Sequence, residues 1–130
     1  MDIQMTRALE RLSRLRQSLA RLRDEANPLL EVFLGRTPLA RGTVYELRRK
    51  CGKPSCCCAT AGQRHAVTVL SVSEEGHTRL RAIPPDQIAD LRVLTARYQR
   101  FRRARARLVK VHRQMVAVID QLDAARRKER

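Results

Sequence analysis

The chain has 130 residues, enough for one domain or for one small module carried on a helical scaffold, and too few for an elaborate active site with a second domain. Lys and Arg number 28 against 13 Asp and Glu, a formal charge of +15, and the first physical explanation of such an excess is a polyanionic partner. Aromatics make up 3% with no Trp while 43% of residues are apolar, mostly Leu, Val and Ala, a mixture that suits helix seams better than a thick globular core.

From the N-terminus, Met5, Ala8, Leu12, Leu15, Leu19, Leu22, Ala26 and Leu29 recur at alternating spacings of three and four, which predicts a helix over residues 3–26. Asn27-Pro28 is expected to break or restart it, because proline cannot donate to the preceding turn, and a short apolar helix from Leu29 to Leu34 should follow. Residues 1–34 thus form an N-terminal helical segment. Between 35 and 84 the period changes. Thr43–Arg48, His65–Val72 and Thr78–Ile83 read as strands of a small three-stranded antiparallel sheet, with Ser73–His77 as a hairpin turn. A sheet this small needs metal or flanking helices to stabilise it.

Pro84-Pro85-Asp86 is a helix-start signal, and residues 85–130 read as one long basic helix whose last residues fray. Its seam is expected to run through Leu91, Leu94, Tyr98, Phe101, Arg105, Leu108, His112, Met115, Ile119 and Leu122, with Arg105 and His112 as polar positions that set register or partner number. The fold class is therefore α+β, with two heptad helices flanking a small sheet that carries a Cys/His knot. An antiparallel helical hairpin within the chain and an intermolecular coiled coil, which would make a homo-oligomer, fit the pattern equally well. No apolar h-region opens the chain and no apolar run approaches the roughly 20 residues of a membrane span, so a cytoplasmic protein with no membrane role is expected, nucleoid-associated if it binds DNA.

All four cysteines, Cys51, Cys56, Cys57 and Cys58, lie within eight positions, and His65 follows. In a reducing compartment clustered thiols are more often metal ligands than disulfides. On an extended loop Cys56 and Cys58 can face one centre while Cys57 points away, Cys51 reaches it through the Gly-Lys-Pro turn, and His65 closes a Cys₃His shell from the next strand. Such a shell suits Zn²⁺ in a structural role, with no open position for water. A metal-free thiol cluster and an iron–sulfur or redox role are the alternatives. His77 and His112 read as a turn residue and a seam residue.

The segment from Ala40-Arg-Gly-Thr-Val-Tyr through Cys51-Gly-Lys-Pro-Ser-Cys56-Cys-Cys58, the His65 strand, the Gly76-His-Thr-Arg hairpin and the long basic helix resemble a family of small, largely uncharacterised prokaryotic proteins. Its members share a Cys-Gly-Lys-Pro-x-Cys-x-Cys signature followed by Gly-x-x-His, and many occur in mobile-element or phage settings. The matching positions are Cys51, Gly52, Lys53, Pro54, Cys56, Cys58, Gly62 and His65. Cys57 stands where the family often has a basic residue, which adds a competing thiol, and Ala66-Val67 replaces the Gly-Pro that commonly follows the histidine. The resemblance implies no catalytic assignment.

No acid occurs between Leu91 and Ile119, and Arg100, Arg103, Arg107 and Lys110 recur at helical spacing, on the face opposite the expected seam. A row of this kind tracks phosphates, because guanidinium forks pair with their oxygens and release counterions. Arg48, Arg49, Lys50 and Lys53 add charge beside the thiol knot. The alternative is a solvated basic face. Stacking aromatics are scarce, so contact with the backbone of duplex DNA is favoured over base stacking. No paired carboxylates, phosphate-binding glycine loop or Ser/His/Asp set is visible, which reads as a non-enzyme. The leading expectation is a zinc-stabilised nucleic-acid-binding accessory protein of a mobile element or phage. The competing one is a coiled-coil adaptor that recruits or assembles with a protein partner such as a recombinase or nuclease; a thiol redox enzyme is a third class.

Overall fold

The computed structural model describes residues 2–49 and 65–128. In chain order they form helix α1 (Ile3–Leu34), strands β1 (Thr43–Arg49), β2 (His65–Glu74) and β3 (His77–Ala82), a 3-10 turn (Pro85–Gln87) and helix α2 (Ile88–Arg126), so the α+β class with two helices flanking a three-stranded antiparallel sheet holds. No helix among the described residues is long and apolar enough to cross a membrane. The chain divides into two compact units: Met1–Arg36 with Phe101–Arg130, and Thr37–Arg100.

In the helical unit, α1 begins where the Asp2 carboxylate accepts from the Gln4 amide at 3.2 Å, an N-cap that satisfies one of the four free amides of the first turn. The helix does not break at Asn27-Pro28: Pro28 lies inside it, and the two expected helices are one of 32 residues. An interior proline costs about 3 kcal/mol. Packing on both sides of it offsets that cost, since Ala26 is buried before it and Phe33 after it sets its ring edge-on to Phe101 with centroids 4.9 Å apart. That ring pair and an ion pair between Glu25 and Arg107 fix the two helices as antiparallel within one chain. The intrachain hairpin is thus the arrangement formed.

The seam of α2 differs from the expected one. Phe101, Leu108, Met115 and Leu122 serve as predicted, but Ala104 and Val111 are buried and Val118 half-buried between them, while the expected Arg105, His112 and Ile119 are exposed. Spacings of three then four and of four then three both satisfy a heptad. The packed structure takes the phase that buries methyl groups, because the other would strip water from a guanidinium and an imidazole. The seam in this unit is apolar throughout, and the proposed polar register positions do not exist.

In the sheet unit, β2 is central. Thr43↔Ser71 through Arg49↔His65 pair β1 with it, and Glu74↔His77 through Val69↔Ala82 pair β3. Glu75 and Gly76 join β2 to β3 with positive φ at both residues (51° and 79°), the two-residue turn whose twist matches that of the flanking strands. Val69 and Leu70 point to opposite faces and both are buried, so each face of the central strand is covered. The segment before β1 is laid on the first turns of α2 by three hydrogen bonds: the Ala40 amide to the Leu94 carbonyl, the Gln99 side-chain amide to the Gly42 carbonyl, and Arg97 to the Pro38 carbonyl. Thr95, buried at this surface, donates its hydroxyl to the Leu91 carbonyl at 2.8 Å and leaves no polar group unsatisfied.

Gly42 is required twice over. Its φ is +119°, and a Cβ there would stand 2.7 Å from the Ser71 carbonyl oxygen and 2.9 Å from a Leu70 methyl. Gly42→Ala is expected to cost about 2–4 kcal/mol, read as a lower midpoint in denaturant unfolding. The seam phase has its own test. Val111→Ala should cost about 2 kcal/mol, whereas His112→Ala and Arg105→Ala should each stay within about 0.5 kcal/mol; the reverse order in thermal melts would restore the polar seam.

Candidate nucleic-acid interface and thiol cluster

Four residues on α2 form the candidate phosphate-tracking row, and the seam determines which way they face. Arg100, Arg103, Arg107 and Lys110 each immediately precede a packed residue: Phe101, Ala104, Leu108 and Val111. One helical step is a turn of about 100°, so the row flanks the seam instead of standing opposite it. The expectation of an opposite face followed from placing Arg105 and His112 in the seam, and it falls with them. Arg100 belongs to the sheet unit; the other three belong to the helical unit.

The flank position has an electrostatic consequence. Arg107 donates from both Nε and Nη2 to Glu25 Oε1 of α1, so part of its charge is already answered within the fold. Arg103 and Lys110 are exposed on the same flank, with no acid partner among the described residues.

The same flank of α1 carries further cations that the sequence reading did not single out. Arg7, Arg11, Arg14 and Arg21 precede the heptad positions Ala8, Leu12, Leu15 and Leu22, as Glu25 precedes Ala26. Arg21 and Glu25 line one concavity together with Gln114 of α2, which places this row of α1 on the side that holds Arg107. From Arg7 to Arg21 the row extends about 21 Å along the helix. The signal that finds it is positional: cations one residue before each heptad position, in both helices, meet on one side of an antiparallel pair.

In the sheet unit, Arg48 is exposed on β1, its Nε 3.3 Å from Glu46 Oε1, and Arg49 is the last residue of that strand. Lys50 and Lys53 lie outside the described residues, as do Cys51, Cys56 and Cys58 and the neighbouring Gly52, Pro54, Cys57 and Gly62. His65, the remaining residue of the expected ligand set, opens β2 directly across from Arg49.

The model of one protein family, described as a domain of unknown function, DUF6788, matches residues 5–93. The cysteine segment and His65 fall within that match, and the α2 row from Arg100 to Lys110 falls beyond it. No curated protein and no solved structure matches the chain.

The Arg107–Glu25 pair is partly exposed on both sides, so a double-mutant cycle with Arg107→Ala and Glu25→Ala should give a coupling below about 1 kcal/mol that shrinks as salt is added. A salt-independent coupling of several kcal/mol would mean that the pair anchors the hairpin and is withheld from any ligand. With the match spanning more than half of its 130 residues, the chain belongs to the DUF6788 family.

Proposed function

We propose that this chain is a nucleic-acid-binding accessory protein with a structural zinc module, acting in the cytoplasm on duplex DNA in the service of a mobile element or phage, and that its role is binding, without catalysis. The observation that carries the reading is the basic flank of the helical unit, where Arg103 and Lys110 of α2 share a side with Arg7, Arg11, Arg14 and Arg21 of α1 and Glu25 is already committed to Arg107. In a chain of net charge +15, cations gathered on one flank release counterions together when phosphates replace them. Few aromatics are available to stack on bases, which favours the backbone of a duplex.

The donor set fits zinc. Three thiolates and an imidazole are the ligands of a closed tetrahedral site, and Cys51, Cys56, Cys58 and His65 would supply them. The sheet register supports the grouping: His65 pairs with Arg49, and covalent geometry holds the Cα of Cys51 within roughly 7 Å of the Cα of Arg49. A metal bound there cross-links the β1–β2 connection. Arg48, Arg49, Lys50 and Lys53 would then present charge from a stiffened hairpin end.

Two measurements test the reading. Purified protein should carry one zinc, lost in Cys51→Ser and in His65→Ala together with part of the thermal stability; retained metal in both would dismiss this ligand set. Across a salt series, duplex DNA should bind more tightly than single-stranded DNA or structured RNA, and Arg103→Ala, Lys110→Ala and Arg14→Ala should each lower the slope of log K against log salt by about one. Arg107→Ala should lower it by less. Slopes that do not move would take the flank out of the interface.

A further inference from the structure

The other flank of the helical unit exposes aliphatic side chains among its arginines. After Arg105, the α2 residues that follow the seam are Val109, His112, Val116 and Ile119, and its three aliphatic side chains stand 37%, 56% and 48% exposed. Ile119 lines a groove of 720 Å³ between the helices together with Leu19, Ala20 and Met115, with Arg16 and Arg23 beside them, and Val116 precedes Ile119 by three residues on the same flank. Past Leu19 and Ile119 the groove continues along Leu122 to Arg126 and Arg127. On α1, Leu9 is 54% exposed one turn before Ser13, which also lines it. From Ser13 to Arg23 the α1 side of the groove extends about 15 Å, nearly three helical turns.

We propose that this groove docks an amphipathic helix with acidic flanks from a partner protein, completing a three-helix bundle. Apolar side chains spaced three and four apart beside a concave floor take the i, i+3, i+4, i+7 anchors of a helix. The charge of the rim selects the occupant. Arg23 and Arg127 each have one aspartate beside them, Asp24 and Asp123, whereas Arg16 and Arg126 have no acid partner among the described residues. A second copy would set these arginines against their own image on chains that each carry +15. Duplex phosphates would engage the arginines and leave the apolar floor wet. An acid-flanked helix satisfies floor and rim together. The groove lies on the flank away from Arg103 and Lys110, so its occupancy and polyanion binding are read separately.

The probe is a labelled synthetic peptide of about 20 residues with Leu at its a and d positions and Glu on both flanks, beside a scrambled peptide of equal composition and charge. Anisotropy at physiological ionic strength should show the amphipathic peptide binding at least about tenfold more tightly than the scrambled one, with a gain of helix by circular dichroism. Val116→Lys with Ile119→Lys, which adds positive charge, should weaken it by about tenfold while duplex DNA binding is not weakened. If that variant loses helix content, Ser13→Lys on α1, an exposed residue of the groove lining, decides in its place. Equal binding of both peptides, or unchanged affinity in the folded lysine variants, would reduce the attraction to charge alone and overturn the proposal. A dimer in sedimentation velocity that the same lysines dissociate would assign the groove to a second copy, and stoichiometric displacement of the peptide by duplex DNA would assign it to nucleic acid; either overturns it.

Discussion

Between Phe101 and Leu122, α2 buries Ala104 and Val111 in the seam it shares with α1, and the position of every charge on the helical unit follows from that stripe. A helix face offers two heptad phases wherever spacings of three and four are both available, and here they share Phe101, Leu108, Met115 and Leu122. Desolvation decides between them. Burying Arg105 or His112 would remove a polar or charged group from water with no partner supplied, whereas Ala104 and Val111 enter at no such cost. With that choice made, residues one step before the seam and residues one step after it become the two flanks of the hairpin. One collects arginines from both helices, and the other leaves aliphatic side chains in contact with water.

Proline 28 shows the same priority of packing over local preference. Taken alone, Asn27-Pro28 is a helix boundary, because the ring removes one backbone donor and crowds the preceding turn. Ala26 is buried before it and Phe33 meets Phe101 after it. A single helix keeps the residues on both sides of Pro28 in one seam, which a restart at a new angle would forfeit. Gly42 is the counterpart in the sheet unit, where a left-handed backbone and a close approach to Ser71 leave no room for any side chain.

The two candidate sites differ in how they depend on the fold. A thiol cluster of Cys51, Cys56 and Cys58 would depend on chain continuity, since the strand register pairs Arg49 with His65 at the two ends of the segment that carries them. The basic flank depends on association of segments far apart in the chain. Arg21 and Lys110 share a side of the hairpin because α1 and α2 run antiparallel with Glu25 against Arg107.

Much of this was legible in the residues. The heptad spacing of α1, the alternating β-branched runs of the three strands, the Glu75-Gly76 turn and the Pro84-Pro85-Asp86 helix start all act through neighbours a few positions away, so local periodicity and backbone chemistry were enough to locate them. The excess of Arg and Lys and the spacing of the α2 row were equally plain. The sequence could not choose between the two seam phases, join α1 across Pro28, or match the cations of α1 to those of α2. Each of those outcomes is set by what a residue packs against in a distant segment, and the free energy that decides it, burial of apolar surface weighed against desolvation of charge, exists only once the two helices are in contact.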